Sequence, residues 1–194
     1  MKKKWIISSM LGILICYAMI GQIMSDVEYP SYEAVSSVKN IEIRQYAPMI
    51  IAEVEVQGER KKAIEDGFRL LADYIFGNNV AQQNIAMTAP VQQQSSGEVW
   101  KVSFVMPSEY SMAALPKPNN DLVMLSKIPA KQFIAIKFSG TNSNENIARH
   151  EEKLLQYIEE NQIQITGSPK YAFYNPPWTL PFMRRNEVMI EVQR

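Results

Sequence analysis

The chain is poor in groups that catalyse. His150 is its only histidine and Cys16 its only cysteine, so the domain can assemble neither a thiol–imidazole pair nor a Cys/His zinc set. His150 follows Ile147 by three residues and precedes Leu154 by four, which puts it on or beside the apolar face of a helix. The plain reading is a partly buried, hydrogen-bonded histidine; the sharper one is a ligand to a metal or a haem iron. Glu65-Asp66, Glu151-Glu152 and Glu159-Glu160 are neighbours along helices, so they diverge and form solvated faces. Glu187 beside Arg184 and Arg185 reads as a salt-bridged strand corner. No nucleophile elbow, phosphate loop, dinucleotide glycine pattern or metalloprotease helix is present. The residues support a binding protein and not an enzyme.

What remains is surface. The run Tyr174-Asn-Pro-Pro-Trp-Thr-Leu-Pro-Phe-Met-Arg-Arg-Asn-Glu-Val188 carries three prolines, which fix φ, remove donors and keep the segment out of a central strand or helix. It must be a stiff loop that presents Tyr174, Trp178 and Phe182. Together with Phe68 and Met87, the side chains of Trp178, Leu180, Phe182 and Met183 suit a planar, greasy ligand, because aromatic and Met groups offer area with few polar demands. The same residues would equally serve to finish a core.

Two similar halves are expected to position these groups. Apolar alternation predicts strands over residues 41–46, 51–56, 86–91 and 99–105, with a polar turn at 92–98. Ile64, Phe68, Leu71 and Ile75 mark one face of a helix over 59–76, stopped by Gly77-Asn-Asn79. The order repeats with strands at 123–128 and 133–138, a helix at 144–160 and strands at 170–174 and 187–192. In each half the first two strands read as a hairpin, turning at Tyr46-Ala-Pro48 and at Pro129-Ala130. Gly58 and Gly140 lie 82 residues apart, and Ile51, Val54 and Val56 answer Phe133, Ile136 and Phe138 at that offset. A degenerate ββαββ repeat predicts one α+β domain, an eight-stranded, mainly antiparallel sheet or open barrel with two helices packed on it.

Residues 5–24 carry no charge and follow Lys2, Lys3 and Lys4. Twenty residues span about 30 Å as a helix, enough for a bilayer core, and the lysines favour a cytoplasmic N-terminus. Residues 1–25 are therefore read as a signal-anchor or a cleaved signal peptide, and residues 26–40 as a spacer in which residues from Tyr32 could add an edge strand. Residues 41–194 form the domain, placed outside the cytoplasm, on the periplasmic side in a Gram-negative cell, or secreted. Those three lysines precede all 20 acids, so the rest of the chain, with 17 of the 20 Lys and Arg, carries a net charge of −3. A weakly acidic domain without basic runs excludes a nucleic-acid binder.

Four motifs in order resemble the SOUL haem-binding family: Ile41-Glu-Ile-Arg-Gln-Tyr-Ala-Pro48, Ile85-Ala-Met-Thr-Ala-Pro-Val91, Phe104-Val-Met-Pro-Ser108 with Leu115-Pro-Lys-Pro118, and Tyr174-Asn-Pro-Pro-Trp178 with Arg184-Arg-Asn-Glu-Val188. The resemblance covers about residues 29–192. It implies a distorted antiparallel β-barrel flanked by two helices, like effector-binding domains of the gyrase-inhibitor type. It also implies binding of haem or another porphyrin in a cleft between the first helix and the loop before the last strand. Carried over by position, the helix side would be Glu65, Phe68, Ala72 and Asp73. The loop side would be Asn175, Pro176, Pro177, Trp178 and Thr179, with Phe182 and Arg184 added from the same loop. Gln45 stands where some members place a proposed axial histidine. Asp73 and Thr179 stand where others carry bases near the haem propionates, leaving Arg69, Arg184 or Arg185 as substitutes. Two rivals share the surface: a module for another apolar small molecule, and an envelope protein-interaction domain in which Trp178 and Phe182 plug the cleft.

Overall fold

The computed structural model describes residues 27–193. The expected membrane segment at residues 5–24 lies outside them. Among the described residues no helix is long and apolar enough to cross a membrane. The elements are β1 (Tyr32–Val38), β2 (Ile41–Tyr46), β3 (Met49–Gln57), α1 (Arg60–Ile75), β4 (Val91–Ser96), β5 (Val99–Val105), β6 (Met124–Ile128), β7 (Lys131–Phe138), α2 (Asn144–Glu160), β8 (Lys170–Phe173), a 3-10 turn (Pro181–Met183) and β9 (Asn186–Glu191). All nine strands join one antiparallel sheet in the order β1-β2-β7-β9-β8-β4-β5-β3-β6. The ninth strand is β1, which adds an edge strand within the segment read as a spacer.

The repeat is real, but its pairing differs from the expected hairpins. Neither β2 with β3 nor β6 with β7 forms a ladder. Instead β2 pairs with β7 and β6 with β3, so the first strand of each half crosses to the other. Chemistry at the connections explains the exchange. A two-residue hairpin wants positive φ at its centre, which Asn and Gly supply. Ala47-Pro48 and Pro129-Ala130 cannot supply it, because proline holds φ near −65°. The chain turns a corner and moves on. Apart from β1, the order is symmetric about the central β8–β4 pair.

A second expectation fails locally. No strand runs from residue 86 to 91, and the polar stretch after it is not a turn. Strand β4 begins at Val91 and includes Gln92 and Gln93, both buried, while the turn is confined to Gly97-Glu98. Pro90 has no N–H to give to a central ladder. Gln92 to Gln94 lie between β5 and β8, where position in the sheet, not side-chain polarity, fixes the backbone.

Each helix covers one half. Helix α1 packs on β3 and β5, and α2 packs on β7 and β9. Leu71, Tyr74 and Ile75 of α1 join Ala52, Val54, Val102 and Phe104 in one core. Ile147, Leu154 and Ile158 of α2 join Ile134, Ile136, Val188 and Ile190 in another. The central β4 and β8 strands lie between them and floor a groove. Helix α2 starts at Ser143, whose hydroxyl accepts a hydrogen bond from the Asn146 N–H, as an N-cap does. Gly58 and Gly140, at φ +109° and +106°, end the strands before the two helices in a conformation that suits glycine.

Gly67 sets how close α1 sits. A Cβ there would lie 2.7 Å from Cγ2 of Val102 and 3.2 Å from Cγ2 of Val54, too close for carbon atoms without movement. Gly67→Ala is expected to lower stability by about 1–3 kcal/mol, read by urea unfolding. No loss would show that α1 does not rest directly on this pair of valines.

Candidate functional site

The face of the sheet away from the helices buries an ion cluster. Arg44 of β2 and Glu187 of β9 are 1% and 0% exposed. Arg44 Nη1 donates to Glu187 Oε2 at 2.7 Å and Nη2 to Oε1 at 3.0 Å, a two-pronged bond matched to carboxylate geometry. Arg44 Nε also donates to Glu42 and Nη1 to the Tyr46 hydroxyl. Arg185 donates to Glu187 Oε1 through Nε and Nη2, and the Tyr174 hydroxyl donates to Oε2 at 2.8 Å. Two guanidiniums lie against tyrosine rings, Arg44 on Tyr32 and Arg185 on Tyr174.

Burial favours neutral forms throughout this cluster; pairing outweighs it for Glu187 and the arginines but not for the tyrosines. Burial alone would raise the Glu187 carboxyl, but hydrogen bonds and charge from Arg44 and Arg185 outweigh it and hold the group below its usual range. Burial pushes the Tyr46 hydroxyl up to about 12. It also raises that of Tyr174, with the Glu187 charge adding to the effect.

The cluster roots the proline-rich loop. Tyr174 and Arg185 stand at its two ends, both held by Glu187, and the Tyr174 N–H donates to the Arg185 carbonyl. Asn175 Oδ1 accepts from the Arg185 N–H at 2.6 Å. Arg185 is thus the expected salt-bridged corner, but Arg184 is not part of it. Arg184 Nε donates to the Thr179 carbonyl at 2.7 Å and Nη2 to the Pro177 carbonyl at 2.5 Å, bracing the loop from within. The Pro181 carbonyl accepts from the Gly140 N–H, tying the far side to the start of α2.

This braced loop leaves large apolar groups in water. Trp178 is 78% and Phe182 73% exposed, and Leu180, Met183, Phe68 and Met87 are exposed as well. Trp178 and Phe182 do not plug a cleft.

One row of the sheet relates the loop to the helices. Phe138 pairs with Asn186, Asn186 with Phe173, Phe173 with Val91, and Val91 with Phe104. Phe68 of α1 meets Phe104 edge-on at 5.4 Å. The root of the loop at Phe173 is therefore two strand spacings from the ring under Phe68, roughly 10 Å. Ala72, half-buried, is one turn beyond Phe68 on the same side of α1. Asn175 and Pro176 are half-buried and Pro177 is exposed. Phe68 and Ala72 thus stand on α1, and Asn175, Pro176, Pro177, Trp178, Phe182 and Arg184 on the loop after β8. The basic groups differ in freedom: Arg185 is committed to Glu187, Arg69 lies 3.5 Å from Asp66, and Arg184 keeps N–H groups beyond the two it uses.

His150 lies on α2, which packs on the other half of the sheet. Its ring stacks on Phe138 at 4.1 Å with 9° between planes, and Nδ1 is 2.7 Å from the Asn146 carbonyl oxygen. A carbonyl accepts only, so the neutral ring carries its proton on Nδ1 and leaves the Nε2 lone pair free. The expected half-buried, hydrogen-bonded histidine is what the fold contains. Among the described residues no three His, Cys, Asp or Glu side chains gather as a metal-binding group.

Sequence reasoning missed the Arg44–Glu187 pair and a second feature, a cleft of about 920 Å³ between the N-terminus of α1 and the exposed side of α2. Trp100 and Tyr171 floor it. The alternation Glu42, Arg44, Tyr46 puts three polar side chains on one strand face and was the available signal for the first.

A sequence model of the family described as SOUL heme-binding protein matches residues 27–191. The chain is 26% identical over 179 residues to heme-binding protein 2 of the mouse, Mus musculus, an alignment spanning 84% of this chain and 85% of that protein. Among solved structures, the EcmrR C-terminal domain superposes with a TM-score of 0.61 at 13% identity, covering 84% of this chain and 98% of that one. A hydrolase from Listeria innocua superposes at 0.56 and 12% identity, covering 82% and 94%. At these identities the two structures show a shared fold.

Glu187→Gln is expected to cost about 3–5 kcal/mol at pH 7, because it leaves Arg44 buried without its counter-charge. In the parent chain the contribution of Glu187 is present above its ordinary value of 4.5 and is lost as pH falls through its lower folded value. Urea unfolding from pH 7 to pH 3 should show that loss in the parent and a flatter profile in the variant. Equal profiles would mean that the pair does not stabilise the fold.

Proposed function

Because the chain belongs to the SOUL heme-binding protein family, we propose that it binds haem or a related tetrapyrrole without catalysing a reaction, between α1 and the 174–185 loop. The carrying observation is the exposure of Trp178 and Phe182 on a loop fixed at both ends. Exposed aromatics on a rigid support lose little conformational freedom when a ligand covers them.

The residues present fit such a ligand. Phe68 and Ala72 offer one apolar wall and Pro176, Pro177 and Trp178 the other. Phe182 extends the apolar area of the loop. Asn175 orients the loop through its bond to Arg185, so its role is positioning. Arg184, and Arg69 on α1, are the cations available to propionates, and Asp73, exposed near the end of α1, disfavours them there. Binding rests on apolar contact, with affinity in the micromolar range, on the order of −8 kcal/mol. When bound, the iron would supply the redox and ligand-binding chemistry of haem. His150, with Nε2 free, is the histidine that could approach it, but the proposed affinity does not depend on ligation.

The domain is placed outside the cytoplasm, anchored by residues 5–24 or released if that segment is cleaved. The support is the uncharged run behind Lys2, Lys3 and Lys4.

Adding hemin to the purified chain at about ten micromolar should shift the Soret band and quench tryptophan emission; the absence of both changes would refute the proposal. Trp178→Ala should weaken binding roughly tenfold with stability unchanged, since the ring packs on little of the protein. His150→Ala should leave the hemin spectrum unaltered, and a changed Soret band would instead assign the axial position to His150.

A further inference from the structure

Several exposed apolar side chains lie along one rim of the sheet. The paired row Phe104, Val91, Phe173, Asn186 and Phe138 runs across β5, β4, β8, β9 and β7. On one side of that row the chain enters β4 through residues 84–90, leaves β5 at 106–108 and leaves β7 at 139–140. It also passes there from β8 to β9 through the 174–185 loop. Helix α1 ends at the same rim, where the Ile85 N–H donates to the Ile75 carbonyl. Phe76, Trp178, Leu180, Phe182 and Met183 are each more than half exposed, and Met87 is exposed too. The 3-10 turn Pro181–Met183 buries none of its residues.

The N-terminal chain arrives at this rim. The Ala89 N–H donates to the Glu28 carbonyl, and Glu28 Oε1 accepts from the Ser108 N–H at 2.9 Å. The Tyr29 ring stacks on Tyr174, the root of the loop, at 5.9 Å. Residues 5–24 carry no charge, and Glu28 is four residues beyond Met24. Four extended residues reach about 14 Å at most, so the end of the uncharged run is held close to the rim. The interfacial layer on each side of a bilayer's hydrocarbon core is itself roughly 5–8 Å deep. A bilayer that holds residues 5–24 therefore faces the rim across little more than its own headgroups.

We propose that this rim is a lipid-binding surface, with Leu180, Phe182 and Met183 resting in the interface of the bilayer that holds the N-terminal segment. Contiguous exposed apolar groups mark membrane or partner contacts, and tryptophan is enriched where lipid meets water. The loop contains no acid to be repelled by lipid phosphates, and Arg184 follows the apolar residues directly, where a guanidinium can reach the headgroups. Because both roots of the loop are fixed, contact with lipid orders little that was free. The inference rests on residues 5–24 being a membrane segment and is independent of the haem reading, which uses the side of the loop toward α1.

The chain has three tryptophans, Trp5, Trp100 and Trp178, so pairs of Trp→Phe substitutions leave one reporter at a time. Each single-tryptophan full chain would be reconstituted, without hemin, in phosphatidylcholine vesicles with plain or brominated acyl chains, since bromine quenches tryptophan only at short range. Emission of Trp178 should fall at least roughly twofold in brominated vesicles, that of Trp5 should fall as well, and that of Trp100 should not change. Adding Leu180→Ser and Met183→Ser, two exposed positions, should restore much of the Trp178 emission. Quenched Trp5 with unquenched Trp178 would overturn the proposal and leave the membrane segment standing; the rim would then serve a protein partner or none. Unquenched Trp5 and Trp178 would overturn both. Equal quenching of Trp178 and Trp100, or of Trp178 with and without the two serines, would also overturn it. Selective quenching of Trp178 in a chain that fails to bind hemin would uphold the lipid contact while the haem reading falls.

Discussion

The sheet face away from the helices, and the loop rooted in it, depend on one buried carboxylate. Glu187 accepts from Arg44, Arg185 and Tyr174 at once, and these residues come from the second strand and from both ends of the 174–185 loop. Two guanidiniums would be costly to bury without it, and it would be costly to bury without them. Mutual satisfaction makes the arrangement specific: no other described carboxylate completes the Arg44 fork. The consequence is mechanical. A loop that cannot be a strand is pinned at its two roots, and its aromatics are held out in water.

The exchange of β2 and β6 between halves gives this cluster its reach. Because β2 lies beside β7 and not beside β3, Arg44 enters the half that contains Glu187, 143 residues away. The same exchange leaves β4 and β8 as the pseudo-symmetric centre, with a helix on either side. A groove between helices is then unavoidable, because each helix is fully used in covering its own pair of strands. The two ends of that groove differ in what lines them. One end has Phe68 and the braced loop; the other has Trp100, Tyr171 and unpaired acids.

The sequence revealed the elements better than their partners. Helical period placed α2 at residues 144–160, as found, and α1 within a residue at each end. The 82-residue offset showed the repeat. Alternation along a strand fixes which face is buried but not which strand lies alongside, so the crossing of β2 and β6 was illegible. Strand β4 was hidden because Gln92 to Ser96 look like a turn when read without neighbours. The candidate site was legible as residue types, since Trp178 and Phe182 stand among prolines, and its location came from the family resemblance. Arg44 and Glu187 were each visible, yet nothing local joins residues so far apart. Trp100 and Tyr171 gave no sign of a cleft, because aromatics are common on strands whatever they pack against.

The central claim is that haem lies between α1 and the braced loop. Ferric haem is paramagnetic, so amide resonances close to its iron broaden. In proton–nitrogen correlation spectra of the isotope-labelled chain with hemin, the account predicts selective loss of signals around Phe68 and Ala72 and around Asn175, Trp178 and Phe182. Signals from Arg60, Glu151 and Glu159 should persist. Broadening centred on those last three residues, or spread evenly over the domain, would contradict it.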